Sequence, residues 1–362
     1  MSHLRDVIVV GGGPAGLAVA IAAAQRGLDV LVLERGRLPA DKAGGEGVLP
    51  PGVRALQALG VEPHLDPAAC SRIAAIRWID GGLAAEARLG KPGGLGVRRT
   101  ALSAALAARA REAGAEVREG AAVRSHRRGA DEAEAWTDGG RERARVLVAA
   151  DGLASPVRRR EGLELPRAGA PRFGLRRHFA RAPWTDAVEV HFGEGVEAYV
   201  TPAGPGRVGV AFLCEEAARA PYQELLERFP VLAARLGGAA FDSPAAGAGP
   251  LARAASARAL DRLILVGDAA GYVDAVTGEG LSLAFEGALA LGRALPGALA
   301  RGARRDAFAA WEAEERRRFA RYAVGARAVL GLARRPAARR SALRFLARHP
   351  RAFAHLVGLV VG

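Results

Sequence analysis

Cysteine is almost missing from this chain. Cys70 and Cys214 are the only two, and they stand far apart. An isolated pair builds no cysteine-ligated metal cluster and argues against a structural disulfide, so no metal site is expected. Lysine is as scarce. Lys42 and Lys91 are the only lysines among 52 basic residues, and the rest are arginine. The formal charge of +14 is therefore almost wholly arginine set against 38 acidic residues. That excess accompanies an Ala-, Gly- and Arg-rich composition of the kind a GC-rich genome encodes. No zinc-finger spacing or aromatic RNA-binding motif goes with it, so nucleic acid is not an expected partner. No run of 18 apolar residues exists, which leaves no expected membrane span. The polar start Met1–Asp6 leads through a short apolar run straight into glycine, unlike a secretory leader. These absences point to the cytoplasm. What remains is a chain of 362 residues, 50% hydrophobic and 25% charged. It is long enough for two domains around a large core.

The first segment reads as strand, turn, helix, strand. Residues 6–10 are β-branched, 11–16 are a glycine turn, 17–26 are Ala-rich and helical, and 29–33 are β-rich again. Helices are expected over 53–59, 102–113, 221–236 and 281–300. Short buried strands are expected at 146–150 and 263–266. Residues 73–89 read as a strand pair around Gly81-Gly82. From Phe173 to Leu213 apolar and polar residues alternate, with a turn at Ala203-Gly204-Pro205-Gly206, which predicts an antiparallel sheet. By that alternation His191 faces solvent. The tail, 301–362, reads as helical and arginine-rich, interrupted at Pro336 and Pro350.

Gly11-Gly12-Gly13-Pro14-Ala15-Gly16 fits G-x-G-x-x-G in a context that gives it weight. It follows a strand, opens a helix, and Glu34 ends the next strand. Gly11 permits the tight turn, Gly13 lets backbone amides approach a pyrophosphate, and Gly16 lets helix and strand pack closely. The helix N-terminus, with Pro14 and Ala15, faces the phosphates. Glu34 would accept from ribose hydroxyls and disfavours a 2′-phosphate, so the nucleotide is FAD or NAD. Two later segments place an aspartate at the end of a parallel strand, where open α/β sheets bind ligands. They are Asp151-Gly152-Leu153-Ala154-Ser155-Pro156-Val157-Arg158 and Gly267-Asp268-Ala269-Ala270-Gly271.

These three motifs, in this order, resemble the FAD-dependent aromatic hydroxylase superfamily (p-hydroxybenzoate hydroxylase-like). The resemblance spans roughly residues 6–300. It implies an α/β fold: a Rossmann-type FAD-binding domain, an inserted antiparallel β-sheet substrate domain, and a helical C-terminal tail. The expected FAD-binding segments are 1–70, 96–160 and 259–300. The expected substrate domain is 71–95 with 161–258, and 301–362 closes the chain. The resemblance implies resident FAD and NAD(P)H as a transient reductant. There is no second G-x-G-x-x-G in a βαβ context to hold a nicotinamide. Carried over by motif, Gly11, Gly13, Gly16, Glu34 and its neighbour Arg35 meet the adenosine and pyrophosphate half. Arg99, which starts an R-x-x-L-x-x-x-L helix, reaches the phosphates. Asp151 and Gly152 lie near the FAD. Asp268, after Gly267, meets the ribityl chain. Gly278, Glu279, Gly280 and Leu281 bring backbone amides to the flavin.

Within the superfamily, Pro39 to Gly47 is similar to the P-x-x-K-x-C-G loop of geranylgeranyl-reductase-like flavoproteins, with Lys42 and Gly45 near the flavin. Gly44 stands at the cysteine position. Ala275 stands where proline is usual, which predicts a looser loop between Tyr272 and Thr277. The four tryptophans form no W-x-W-x-I-P segment, which argues against tryptophan-type halogenation. The first reading is an FAD-dependent monooxygenase. It would use NAD(P)H and O2 to hydroxylate an aromatic or polyketide-like molecule in secondary metabolism, with His178 or Tyr199 as the base. The alternative is reduction of isoprenoid double bonds. Phe345, Leu346, Phe353, Leu356, Val357, Leu359 and Val360 interleave with Arg344, Arg348 and Arg351 in the tail. Either that stripe packs on its own domain, or it touches lipid and suits a lipophilic substrate.

Overall fold

The computed structural model describes residues 3–167 and 169–361, without the side chains of 217 and 359–361. Strand Leu4–Val10 pairs in parallel with Val30–Glu34 on one side and Gly140–Ala149 on the other. Helices cover one face of this sheet and Ala133, Ala135, Val157 and Leu163 cover the other, so the central strand segments 7–10, 30–33 and 146–149 are apolar without alternation. Val7, Ile8 and Val9 have no exposed surface. Leu263–Leu265 adds outside Gly140–Ala149, and Glu116–Glu119 outside Val30–Glu34, again in parallel. The loops that follow Val10, Ala149 and Leu265 therefore open on one edge. All three motifs sit there. The hairpin Ser125–Arg128 and Ala133–Thr137 extends the sheet in antiparallel fashion. Its charged residues give little warning of strand.

Helix Pro14–Ala24 is small and apolar on every side because it is enclosed on every side, and Leu17 to Ala23 have no exposed surface. Helix Gly280–Ala300 packs against it and against Pro50–Leu59. By length and composition Gly280–Ala300 could cross a bilayer, but half of its most apolar window is buried in the fold.

The second sheet has seven strands. In order they are Ala246–Ala248, Arg172–Phe179, Val208–Glu215, Val196–Pro202, Ala187–Phe192, Ala75–Asp80 and Leu83–Arg88. All pairs are antiparallel except Ala187–Phe192 beside Ala75–Asp80, where Val190 lies opposite Trp78. One face packs on two short helices, Tyr222–Glu227 and Pro230–Leu236. A single helix over 221–236 does not form. Pro230 disfavours helical geometry at Phe229, which sits at φ −122°, ψ 69°, and the chain bends and restarts. This helix pair also corrects His191. It is only 6% exposed and sits beside Glu189, which Arg235 reaches from the covering helix. Alternation predicts solvent only where one face is bare, and neither face is.

The tail forms helices Ala309–Ala333, Pro336–Arg348 and Pro350–Val361. Each proline opens a helix, where its missing N–H costs nothing. Leu343, Leu346, Phe353 and Val357 pack on Ala85 and Ala87 of the second sheet. Three of the five stripe residues with described side chains, Leu346, Phe353 and Val357, are thus accounted for by the protein's own domain. Phe345 and Leu356 stay exposed. Leu359 and Val360 lie outside the described side chains.

Candidate functional site

At the glycine turn the three spaced glycines separate by role. Gly11 has φ +107°, and a Cβ there would lie 2.5 Å from the Ala150 carbonyl oxygen. A Cβ on Gly16 would lie 1.9 Å from the Gly11 oxygen. Both are demanded by close packing. A Cβ on Gly13 would find only Lys42 Nζ, at 3.6 Å. Gly13, Pro14 and Ala15 form one end of a large cavity, with the first-turn amides of the helix beside it. Glu34 is buried under this turn. Its Oε2 accepts from Gly12 N at 2.6 Å and its Oε1 from Gly36 N at 2.9 Å. Arg35 is exposed and off the cavity wall.

The other two motif loops are tied together. Asp151 Oδ2 accepts from Val157 N at 3.0 Å, while its buried Oδ1 has no partner. Arg158, fully buried, donates to the carbonyls of Leu153, Asp268 and Ala269. This arginine ends the D-G-x-x-S-x-V-R motif, and the motif spacing is the signal that could have found it. Gly152 and Gly267 reach the cavity wall beside Asp268. Asp268 lies deep in the fold yet is accessible, because its carboxylate faces the cavity rather than protein atoms. Burial pushes its pKa up, and the nearby Arg99 and Lys42 cations pull it back. Arg99 opens its helix, with its backbone N–H on Glu46 Oε1 at 3.1 Å. Two cations, a helix N-terminus, a clear approach at Gly13 and an accessible carboxylate fit a long dinucleotide laid along this wall.

Beyond Asp268, Gly45, Gly278, Gly280 and Leu281 continue the wall. Glu279 does not. It is buried, its Oε2 lacks a partner, and burial lifts its pKa to about 7 against the pull of the Thr277 hydroxyl. The loop before it is held firmly without a proline at Ala275. Asp274 pairs with Arg172 at 2.9 Å and accepts from Val276 N at 3.0 Å. The Tyr322 hydroxyl accepts from Asp274 N and donates to its carbonyl. Tyr199 donates to the Val276 carbonyl at 2.9 Å. These side chains replace the stiffness the missing proline would have given.

Neither expected base has the geometry of one. His178 is fully buried and off the cavity wall. Its Nε2 lies 2.7 Å from Glu46 and its Nδ1 2.8 Å from Ser243 Oγ. It positions Glu46, whose carboxylate fills the space a side chain at Gly209 would need. Tyr199 does line the cavity, but burial, with Glu197 and Asp274 nearby, pushes its pKa well above the usual value. A phenol held protonated accepts no proton. Reading the two residues singly missed this, because their partners come from distant segments. Tyr272, absent from the expected set, also lines the cavity. Its hydroxyl has no hydrogen-bond partner among the described residues. Burial, with Tyr322, Asp268 and Asp274, holds its pKa well above the usual value.

The cavity has a volume of 670 Å³ and runs from the glycine turn to the tail. Its far half is bounded by Ile76, Trp78, Val190, Leu346, Phe353 and Val357.

A family model described as an FAD binding domain matches residues 5–224. The chain belongs to that family. As a member of the FAD binding domain family it is an FAD-dependent oxidoreductase. It is 31% identical over 311 residues to menaquinone reductase of Mycolicibacterium smegmatis, covering 79% of this chain and 75% of that one. It is 32% identical over 317 residues to digeranylgeranylglycerophospholipid reductase 1 of Methanopyrus kandleri, covering 77% of each. Among solved structures, p-nitrophenol 4-monooxygenase from Pseudomonas putida superposes with a TM-score of 0.83 at 21% identity, over 100% of this chain and 99% of that one. That likeness speaks to the fold of this FAD-binding protein.

Proposed function

We propose that this flavoprotein reduces a carbon–carbon double bond in a polyisoprenoid lipid. One observation carries the reading. The cavity continues past the flavin end as a long apolar chamber, and neither residue expected to deprotonate a phenol there can do so. The relatives at about three-quarters coverage, named for lipid reductases, support it.

In this reading Gly13, Pro14, Ala15, Lys42 and Arg99 hold the diphosphate, Glu34 the ribose and Asp268 the ribityl chain. Segments 1–70, 96–160 and 259–300 carry the cofactor, and 71–95 with 161–258 shape the substrate chamber. Bound FAD, reduced by NAD(P)H, supplies a hydride. Amides at the start of helix Gly280–Ala300 favour negative charge on the flavin side. The apolar wall excludes water from the alkene. Tyr272 holds a proton at its Oη on the same wall, available to the carbon that does not take the hydride.

The test is anaerobic. The reduced holoenzyme is mixed with prenylated quinones and prenyl glycerolipids, and flavin reoxidation is followed beside product mass. A gain of two hydrogens without oxygen is expected. Reoxidation only in oxygen, with an oxygen atom in the product, would overturn the reading in favour of hydroxylation. Gly44 favours that second reading, since it removes a thiol the resemblance places beside the flavin.

A further inference from the structure

Residues 316–362 hold twelve arginines and no acidic residue. Some of these arginines serve the fold. Arg339 and Arg340 meet Asp80, and Arg334 meets Glu215. Among the described residues Arg335, Arg344, Arg348 and Arg351 are exposed and have no acidic partner. The exposed apolar residues of the tail lie beside them. Phe345 is 55% exposed and Leu356 is 48% exposed, yet both also line the cavity. So does Ala328, one turn from Val324, which is 68% exposed. Residues that are both cavity wall and outer surface mark a mouth. The apolar chamber opens through the tail helices, at a rim of Phe345 and Leu356 flanked by unpaired arginines.

We infer that this face docks on an anionic lipid bilayer, with the mouth against the membrane. Apolar residues that insert shallowly, ringed by cations that meet lipid phosphates, are what interfacial binding requires. Nucleic acid would satisfy the arginines but leaves the exposed phenylalanine and leucine at the mouth without a role. Docking rests on the charge and the rim alone. Entry of substrate through the mouth rests on the lipid reading proposed above.

The test needs no substrate. FAD-loaded protein is sedimented with vesicles of phosphatidylcholine, or of phosphatidylcholine with phosphatidylglycerol, and the bound fraction is read from flavin absorbance. Partition onto the anionic vesicles is expected to exceed that onto neutral ones by about tenfold or more, and to fall as salt is added. Arg344→Glu, Arg348→Glu and Arg351→Glu together should lower it about a hundredfold. Phe345→Ser with Leu356→Ser should lower it about tenfold while leaving the salt dependence in place. Retained flavin absorbance reports that each variant is folded. Equal partition onto both vesicle types, or no loss in either variant, overturns the proposal. Competition by duplex DNA that is indifferent to Phe345 and Leu356 would replace lipid with nucleic acid. Protein that reduces prenyl substrate in detergent but ignores vesicles defeats docking alone. Protein that binds vesicles but reduces no alkene defeats the reaction alone.

Discussion

Gly13 and Gly16 have the same side chain for different reasons. A Cβ at Gly16 would collide with backbone, so a substitution there breaks the fold. A Cβ at Gly13 meets only the end of Lys42 across open cavity. Gly13→Val is therefore expected to leave circular dichroism and melting nearly unchanged while lowering FAD affinity about a hundredfold, from steric overlap where amides approach the diphosphate. Flavin absorbance after gel filtration checks it; a valine variant that stays yellow would remove Gly13 from the cofactor wall. At this scale the spacing of the glycines with Glu34 was legible from sequence. The fates of His178 and Tyr199 were not, because a side chain's partners decide whether it can take a proton. Glu46 and Ser243 claim the one, and the Val276 carbonyl the other.

Elements were legible where one physical cause dominates. The second halves of strands 4–10 and 140–149 show as short apolar runs, 7–10 and 146–149, because both faces are buried there. The first helix shows through its glycine turn and proline start. Pro230 was visible too, but its consequence depended on whether the following residues could seed a second helix against the sheet. Helix Gly280–Ala300 packs on Pro14–Ala24 at Gly292, where a Cβ would sit 2.7 Å from that of Ala22. Gly292→Val should force the pair apart and cost about 2 kcal/mol, as overpacking of a tight core does. Urea unfolding with flavin and tryptophan signals checks it. A loss below about 0.5 kcal/mol would mean the helices adjust freely. Because these two helices carry the glycine turn and the Gly278–Leu281 amides at their starts, the variant should also loosen FAD.

Across the whole molecule the cavity is assembled from three distant parts: motif loops on the parallel sheet, strands of the second sheet, and the tail. Phe353 joins the last two. It is 1% exposed, lies 4.9 Å from the Trp78 ring centroid and bounds the chamber. Phe353→Ala should destabilise the protein by about 3 kcal/mol and widen the far end of the chamber. A melting scan reads the first effect. Turnover of prenyl substrates of increasing bulk reads the second, with preference expected to move to bulkier chains. An unchanged preference would place the substrate elsewhere.

The sequence by itself determined that this is an FAD protein. The motifs that mark it are local: each is a turn or helix start at a strand end, within a short stretch of chain. Tertiary structure alone decided the chemistry of the chamber. Burial sets whether Tyr199 and Tyr272 hold their protons. The helix pair sets whether the face that carries His191 meets solvent, and the tail's packing turns part of an arginine-rich stripe into wall and leaves the rest as a rim. Each depends on groups far apart in the chain, and only folding brings them within reach of one another.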